Sequence, residues 1–281
     1  MKKLTLLCLV AVTIFGFSCK KPMTVLEKIE KNGKMVMGCS ADYPPFEFHY
    51  LGENGDEVVG FEVELGKAIA EDLSKKFGKP ITFELSDMDF DGILGALVSG
   101  KIDIAISGFT VTEERKQNID FSETYYVSNQ RAVVRLADLG KFGHDINSLA
   151  GSQVAAQKGT VQVVTAKSQI FGVSDEEINN DHPQVKEFQR CPDSIMALQA
   201  GKVDAIILEE PVALPYVKQN PDLAMSYFSI PMEEADVAAA FAKGNEDFVA
   251  IVNETIARVT SDGTFDKWFN EASEKAVQTL E

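Results

Sequence analysis

An α/β fold of two similar lobes is predicted by an internal echo and by the alternation of elements around it. ALVSGKID at 96–103 returns as ALQAGKVD at 197–204, and each copy runs into an apolar strand, IAIS or AIIL. In each copy a helix closes on a glycine at the C′ position and a lysine follows. A β-branched residue and an aspartate then open the strand. Duplication of that unit predicts two α/β lobes. A β-α-β-α-β order around each copy implies largely parallel sheets with right-handed crossovers. The echoes end differently, in Ser107-Gly108-Phe109-Thr110 and in Glu209-Glu210-Pro211. Ligands sit at the carboxyl ends of strands in open α/β sheets, so unlike polar groups at matched strand ends read as a clamp.

The chain opens with a segment outside that fold. Lys2 and Lys3 form a basic end, and 4–17 is mostly apolar. A membrane span needs roughly 20 such residues, so 1–19 reads as a secretion signal. It ends Gly16-Phe17-Ser18-Cys19. A cysteine there, after a small residue, resembles a bacterial lipobox and makes Cys19 the expected lipidation site. Gly16 stands where such boxes usually carry leucine, and ordinary cleavage nearby is the alternative. No later stretch is apolar enough to cross a membrane.

The remaining elements follow in order. KMVMGC at 34–39 is a strand, Pro44-Pro45 turns the chain, and LGENGDEVVG is a hairpin-type turn. Leu65, Ile69, Leu73 and Phe77 recur every four residues, predicting a helix over 61–77 stopped by Gly78 and Pro80. ITFELS is the next strand, 90–98 a helix, and IDIAIS the third strand. Thr112 caps a helix with Glu113 and Glu114 in its first turn. FSETYYVSNQRAVVR is β-rich and long enough to cross between lobes. Then SQVAAQ, a helix at GTVQVVTAKSQI, VKEF, a helix at 193–200, VDAIIL and a helix near 211–219 repeat the alternation. DVAAAFAK reads as a strand returning to the first lobe, and 248–259 as an amphipathic terminal helix followed by DGTFDKWF. The expected division is 24–127 with 234–281 for lobe one and 128–233 for lobe two.

A formal charge of −16 argues against nucleic acid or an anionic membrane surface as partner. Of four cysteines, Cys8 and Cys19 belong to the leader. Cys39 and Cys191 fall in different lobes, where a bridge would pin the lobes, so two free and inert thiols are expected. The motifs G-x-x-x-x-G-K-[ST], G-x-S-x-G and H-E-x-x-H do not occur, since Gly95 to Lys101 is followed by Ile102. His49, His144 and His182 are scattered, so no metal or cofactor is expected.

The run MDFDGILGALVSGKIDIAISGFTVTEERKQNIDFSETYY resembles the bacterial extracellular solute-binding proteins of polar amino-acid ABC importers. That family includes the glutamine- and histidine-binding proteins. SADYPPFEF, VVGFEVELGKAIA, QKGTVQ, GKVDAIILEEP and DGTFDKWF match further blocks in order. The resemblance implies a periplasmic-binding-protein (Venus-flytrap) fold with a two-segment hinge near 125–128 and 233–237. It implies a monomeric, lipid-anchored receptor in the periplasm or at the cell surface. Such a receptor captures a polar amino acid and docks on an ABC permease with its ATPase. The alternative on the same fold is a periplasmic dehydratase acting on an amino-acid-like carboxylic acid.

A free amino acid brings a carboxylate and an ammonium, and burying both requires a cation and an anion with hydrogen bonds. Read alone, Arg115 is an arginine paired with Glu113 or Glu114 on a solvated helix face. The resemblance of TVTEER instead assigns its forked guanidinium to the ligand carboxylate. Thr110 can serve both charged ends, Gly108 lets backbone approach the ligand, and Ser107 adjoins them. Thr160 opens a helix whose backbone N–H groups favour an anion, and it is equally a plain N-cap. Glu209 takes the place of the family's ammonium-binding aspartate, one methylene longer. By resemblance Tyr43 and Phe90 wall the ligand's stem, and Ser40 and Gln157 touch its distal end. Ser40 departs from the aspartate of glutamine- and histidine-binding relatives, which leaves the preferred side chain open. Glu47, Glu209 and Glu210 would suit arginine or lysine, with glutamine nearly as well served.

Overall fold

The computed structural model describes residues 23–278 apart from Asn54 and Glu233. The expected leader and its Cys19 therefore lie outside the described residues, as does Glu233 of the second hinge segment. Thr24 starts α1 (Val25–Asn32) with a capping box: its hydroxyl accepts from Glu27 N–H while the Glu27 carboxylate accepts from Thr24 N–H. β1 (Lys34–Cys39) follows, then a three-stranded antiparallel flap of β2 (Asp42–Tyr43), β3 (Glu47–Gly52) and β4 (Gly55–Val59). α2 (Phe61–Phe77), β5 (Thr82–Asp87), α3 (Phe90–Val98) and β6 (Ile104–Ala105) complete the first half-sheet. The four-residue apolar row of α2 does what its period predicts: Leu65, Ile69 and Leu73 are fully buried in the core with Met35 and Met37 of β1. After α4 (Glu113–Lys116) come β7 (Ile119–Phe121) and the crossing strand β8 (Tyr126–Val127).

The second half holds β9 (Gln130–Arg135), α5 (Leu139–Phe142), β10 (Val154–Gln157) and α6 (Val161–Thr165). α6 runs on into a π-helical turn over Ala166–Ile170. β11 (Val185–Phe188), α7 (Cys191–Gln199), β12 (Ala205–Glu209), α8 (Glu210–Gln219) and β13 (Leu223–Met225) follow. The chain then returns through β14 (Asp236–Val237) and β15 (Ala240–Ala242) to α9 (Glu246–Ser261) and α10 (Thr264–Gln278).

Two five-stranded sheets result, β5-β1-β6-β15-β7 and β11-β10-β12-β9-β13. In each, three neighbouring strands run parallel, a fourth (β15 or β9) is reversed, and the edge strand (β7 or β13) pairs antiparallel with it. β15 lies between β6 and β7, so the late chain completes the early sheet, as DVAAAFAK predicts. β8 and β14 pair as the double crossing between the sheets, and Val237 also bridges Thr110.

The echo is physically the same device twice. Gly100 N–H bonds Leu97 O and Lys101 N–H bonds Ala96 O; Gly201 to Leu198 and Lys202 to Ala197 repeat it. These are paired Schellman caps, with the two glycines at φ 72° and 69°. The aspartate then stitches the new strand to its neighbour. Asp103 accepts from Val36 N–H and Asp204 from Gln153 N–H, each also held by a cation, Lys28 or Arg135.

Three elements differ from expectation. The third strand is only Ile104–Ala105, because from Ser107 onward side chains and the cavity loop take over the strand's bonding. DGTFDKWF begins a second long terminal helix, anchored by Phe265 and Phe269 against Phe61, both at 5.3 Å between ring centroids. The predicted helix after Gly159 changes from α to π geometry at Ala166.

Candidate functional site

A partly open cavity of about 310 Å³, the solvent at its mouth included, lies where the carboxyl ends of both sheets meet. The ten residues expected to bind ligand line it, whereas Glu47 and Glu210, also offered as acidic partners, do not. Ser40, Tyr43, Phe90, Ser107, Gly108, Thr110 and Arg115 come from the first sheet's side. Gln157, Thr160 and Glu209 come from the other, joined by Val161 and Gln162, which the sequence reading missed.

Arg115 is positioned from the backbone up. Thr112 caps α4 by accepting the Arg115 N–H at 3.1 Å. The side chain turns away from Glu113, whose carboxylate pairs with Lys116 instead. Its guanidinium lies 5.2 Å from the centroid of the Phe109 ring and 5.8 Å from that of Phe90, two rings stacked at 4.7 Å. Nη1 donates to Thr110 O at 2.8 Å and Nη2 reaches Gly159 O at 3.2 Å, so this side chain touches both lobes. Burial lowers its pKa to about 10 against the pull of Glu114 and Glu234, which leaves it cationic at neutral pH.

Glu209 faces the cavity as an anion source from the opposite sheet. It ends β12, where its backbone pairs with Gln130, and its side chain is 2% exposed. Among the described residues its Oε2 has no hydrogen-bond partner. Burial pushes its carboxyl up to about 8. Glu210, one residue on, pairs with Arg131 at 3.2 Å and takes no part in the lining.

A polar network joins the lobes at the cavity's other end. Asp42 accepts from the Ser40 hydroxyl at 2.8 Å, from Cys191 N–H at 2.7 Å and from Gln157 Nε2 at 3.1 Å. Gln157 also donates to Gln189 O. Gln162 Nε2 contacts the Tyr43 hydroxyl at 3.4 Å. Thr160 does not cap α6 with its side chain; its hydroxyl donates to Gln157 O at 2.6 Å. On the cavity floor, Ser107 Oγ accepts from Ser40 N–H and Gly108 N–H points at Glu62. At the rim Arg190 bonds Asp87 and Asp89, and Lys158 pairs with Asp91, again from lobe to lobe.

The profile of the bacterial extracellular solute-binding proteins, family 3, matches residues 35–272. The chain belongs to that family. Among its relatives is the arginine-binding extracellular protein ArtP of Bacillus subtilis (strain 168), 36% identical over 96% of this chain and 98% of ArtP. The L-cystine-binding protein TcyJ of Escherichia coli (strain K12) is 32% identical over 87% of this chain and 86% of TcyJ. Among solved structures, the amino acid ABC transporter substrate-binding protein AbpA of Streptococcus pneumoniae Canada MDR_19A, bound to L-arginine, superposes with a TM-score of 0.80. It is 34% identical and covers 89% of this chain and 99% of its own.

This family 3 chain is a solute-binding protein and not an enzyme. Its geometry suits holding a zwitterion: a guanidinium and an unpaired carboxyl approach one desolvated space from opposite lobes. Among the described residues no cluster could hold a metal, and no helix is long and apolar enough to cross a membrane. Cys39 and Cys191 are free and buried, with the Cys39 thiol pushed up to about 12 by burial and Cys191 raised by burial as well. Both are unbridged, as expected. Asp42 and Glu62 escaped the sequence reading because their partners stand far along the chain. Buried acids beside a strand end and in the first turn of α2 were the only signal available.

Proposed function

We propose that this protein captures a polar L-amino acid, with L-arginine the first candidate, for an ABC importer by closing two lobes on it. The lobes are 24–127 with 234–281, and 128–233. Arg115 forks onto the α-carboxylate, with Thr110 and Thr160 beside it. Glu209 takes the α-ammonium together with the Gly108 and Ser107 segment. Tyr43 and Phe90 wall the aliphatic stem, and Ser40 and Gln157 meet its far end. Only the closed form satisfies both charges, so ligand shifts the population toward closure. Closed lobes dock on a permease driven by its ATPase. Cys19 carries a lipid that holds the monomer to the membrane, in the periplasm or at the cell surface.

The observation that carries this reading is the opposition of Arg115 and the unpaired, desolvated Glu209 across one cavity. The arginine-binding ArtP and the L-arginine bound to AbpA support arginine over the other candidates. Titration calorimetry with L-arginine, L-lysine, L-glutamine, L-histidine and L-cystine tests it. Arginine is expected to bind tightest and to be recovered unchanged. Arg115→Ala should weaken every amino acid by about 100-fold, as expected when a buried charge loses its partner. Full affinity in Arg115→Ala would remove the carboxylate assignment. Turnover of the bound acid would favour the dehydratase.

A further inference from the structure

Behind the ligand floor, Glu47 at the start of β3 and Glu62 in the first turn of α2 are both fully buried. Their carboxyl groups are neighbours: Ser107 donates to Glu47 and the next residue, Gly108, to Glu62, while Glu62 N–H bonds Phe46 O beside Glu47. Two carboxylates offer only acceptors, so such neighbours need a proton on one of them. The donated bonds say which. Glu62 accepts from the Tyr125 hydroxyl at 2.5 Å and from Gly108 N–H at 3.0 Å to each oxygen. Glu47 Oε1 accepts from Ser107 Oγ at 2.5 Å, while among the described residues its Oε2 has no donor. Oε2 is therefore the atom that carries the proton, and Glu62 is the anion.

We propose that Glu47 and Glu62 share one proton at neutral pH and that this pair is the positioning element of the ligand floor. Through Ser107 it fixes Ser40, whose N–H donates to Ser107 Oγ; through Gly108 and Tyr125 it joins that floor to the hinge. Tyr125 N–H bonds Val237 O, on the second crossing strand. The titratable groups facing the pair are Cys39 of β1 and Tyr125. Burial raises both, so both stay neutral, and among the described residues the bonds to either glutamate come from Ser107, Gly108 and Tyr125 and not from a cation. Two adjacent anions without a cation would repel strongly here, whereas one anion facing three donors is a stable knot. Only the link to the ligand rests on the proposed function.

Infrared spectroscopy of the unliganded full chain at pH 8 reads the proton directly. In Glu209→Gln/Asp42→Asn, which removes the other raised carboxyls around the cavity, one protonated-carboxyl stretch should remain. It should vanish when Glu47→Gln is added. Separately, Glu47→Ala should lower arginine affinity about tenfold. Glu47→Gln, which donates to Glu62 and accepts from Ser107, should restore it to within about threefold. A spectrum unchanged by Glu47→Gln, or a Gln variant as damaged as Ala, overturns the proposal. Failure of arginine to bind would overturn the ligand assignment alone, because the stretch is measured without ligand.

Discussion

Glu209 shows how one methylene and one desolvated site set a pH dependence. Burial raises its pKa from the ordinary 4.5 to about 8, so at pH 7 the empty protein holds that proton. An arriving ammonium favours the ionised form, and binding then expels the proton. Calorimetry at pH 7 in buffers of differing ionisation enthalpy should therefore show close to one proton released per arginine, and none in Glu209→Gln. Affinity should rise from pH 6 towards 8. The sign for stability is the reverse. A folded-state pKa above the unfolded one means the native state binds more protons, so the empty protein loses stability as pH rises through that window. Urea midpoints of wild type and Glu209→Gln should converge at low pH and separate at pH 8, with the variant more stable. That Glu209 lines the cavity was legible from its place after the echo. That its Oε2 is buried without a partner was not, since that depends on what fails to surround it.

The echoed helix ends carry a cleaner lesson about elements. A Cβ at Gly100 or Gly201 would meet no atom within 4 Å, so alanine there is opposed only by the left-handed backbone. Gly100→Ala and Gly201→Ala should each cost about 1 kcal/mol in chemical denaturation, with unchanged arginine affinity. Such caps are written in contiguous residues, and the sequence shows them without ambiguity. So are α2 and α3, whose periods and stops lie within their own spans. The shortened β6 and the π-helical turn after α6 were not legible. Ser107 leaves the ladder to serve Ser40 and Glu47, residues 67 and 60 positions away. Likewise Asp42 meets Cys191 across 149 residues and Gln162 meets Tyr43 across 119. Hydrophobic period fixes which face is buried but says nothing of which polar tips then meet.

At the scale of the whole molecule, closure divides between charges inside the cavity and pairs on its rim. Arg190 with Asp87 and Asp89, and Lys158 with Asp91, span the lobes without lining the ligand space. Partly exposed ion pairs contribute about 0–1 kcal/mol, so Arg190→Ala should weaken arginine by less than about fivefold. Raising salt to 1 M should erase most of that difference, while the Arg115→Ala defect persists. A larger, salt-insensitive loss in Arg190→Ala would move the main closing force to the rim. The two-lobe plan was readable because the chain repeats its own unit and returns a strand to the first sheet. The contacts that hold the lobes together belong to neither repeat. The most direct measurement of the account is a crystal structure of the chain with L-arginine bound. It should place the α-carboxylate astride the Arg115 guanidinium and the α-ammonium within hydrogen-bond distance of Glu209. A bound amino acid with either charged group turned away from those two side chains would contradict it.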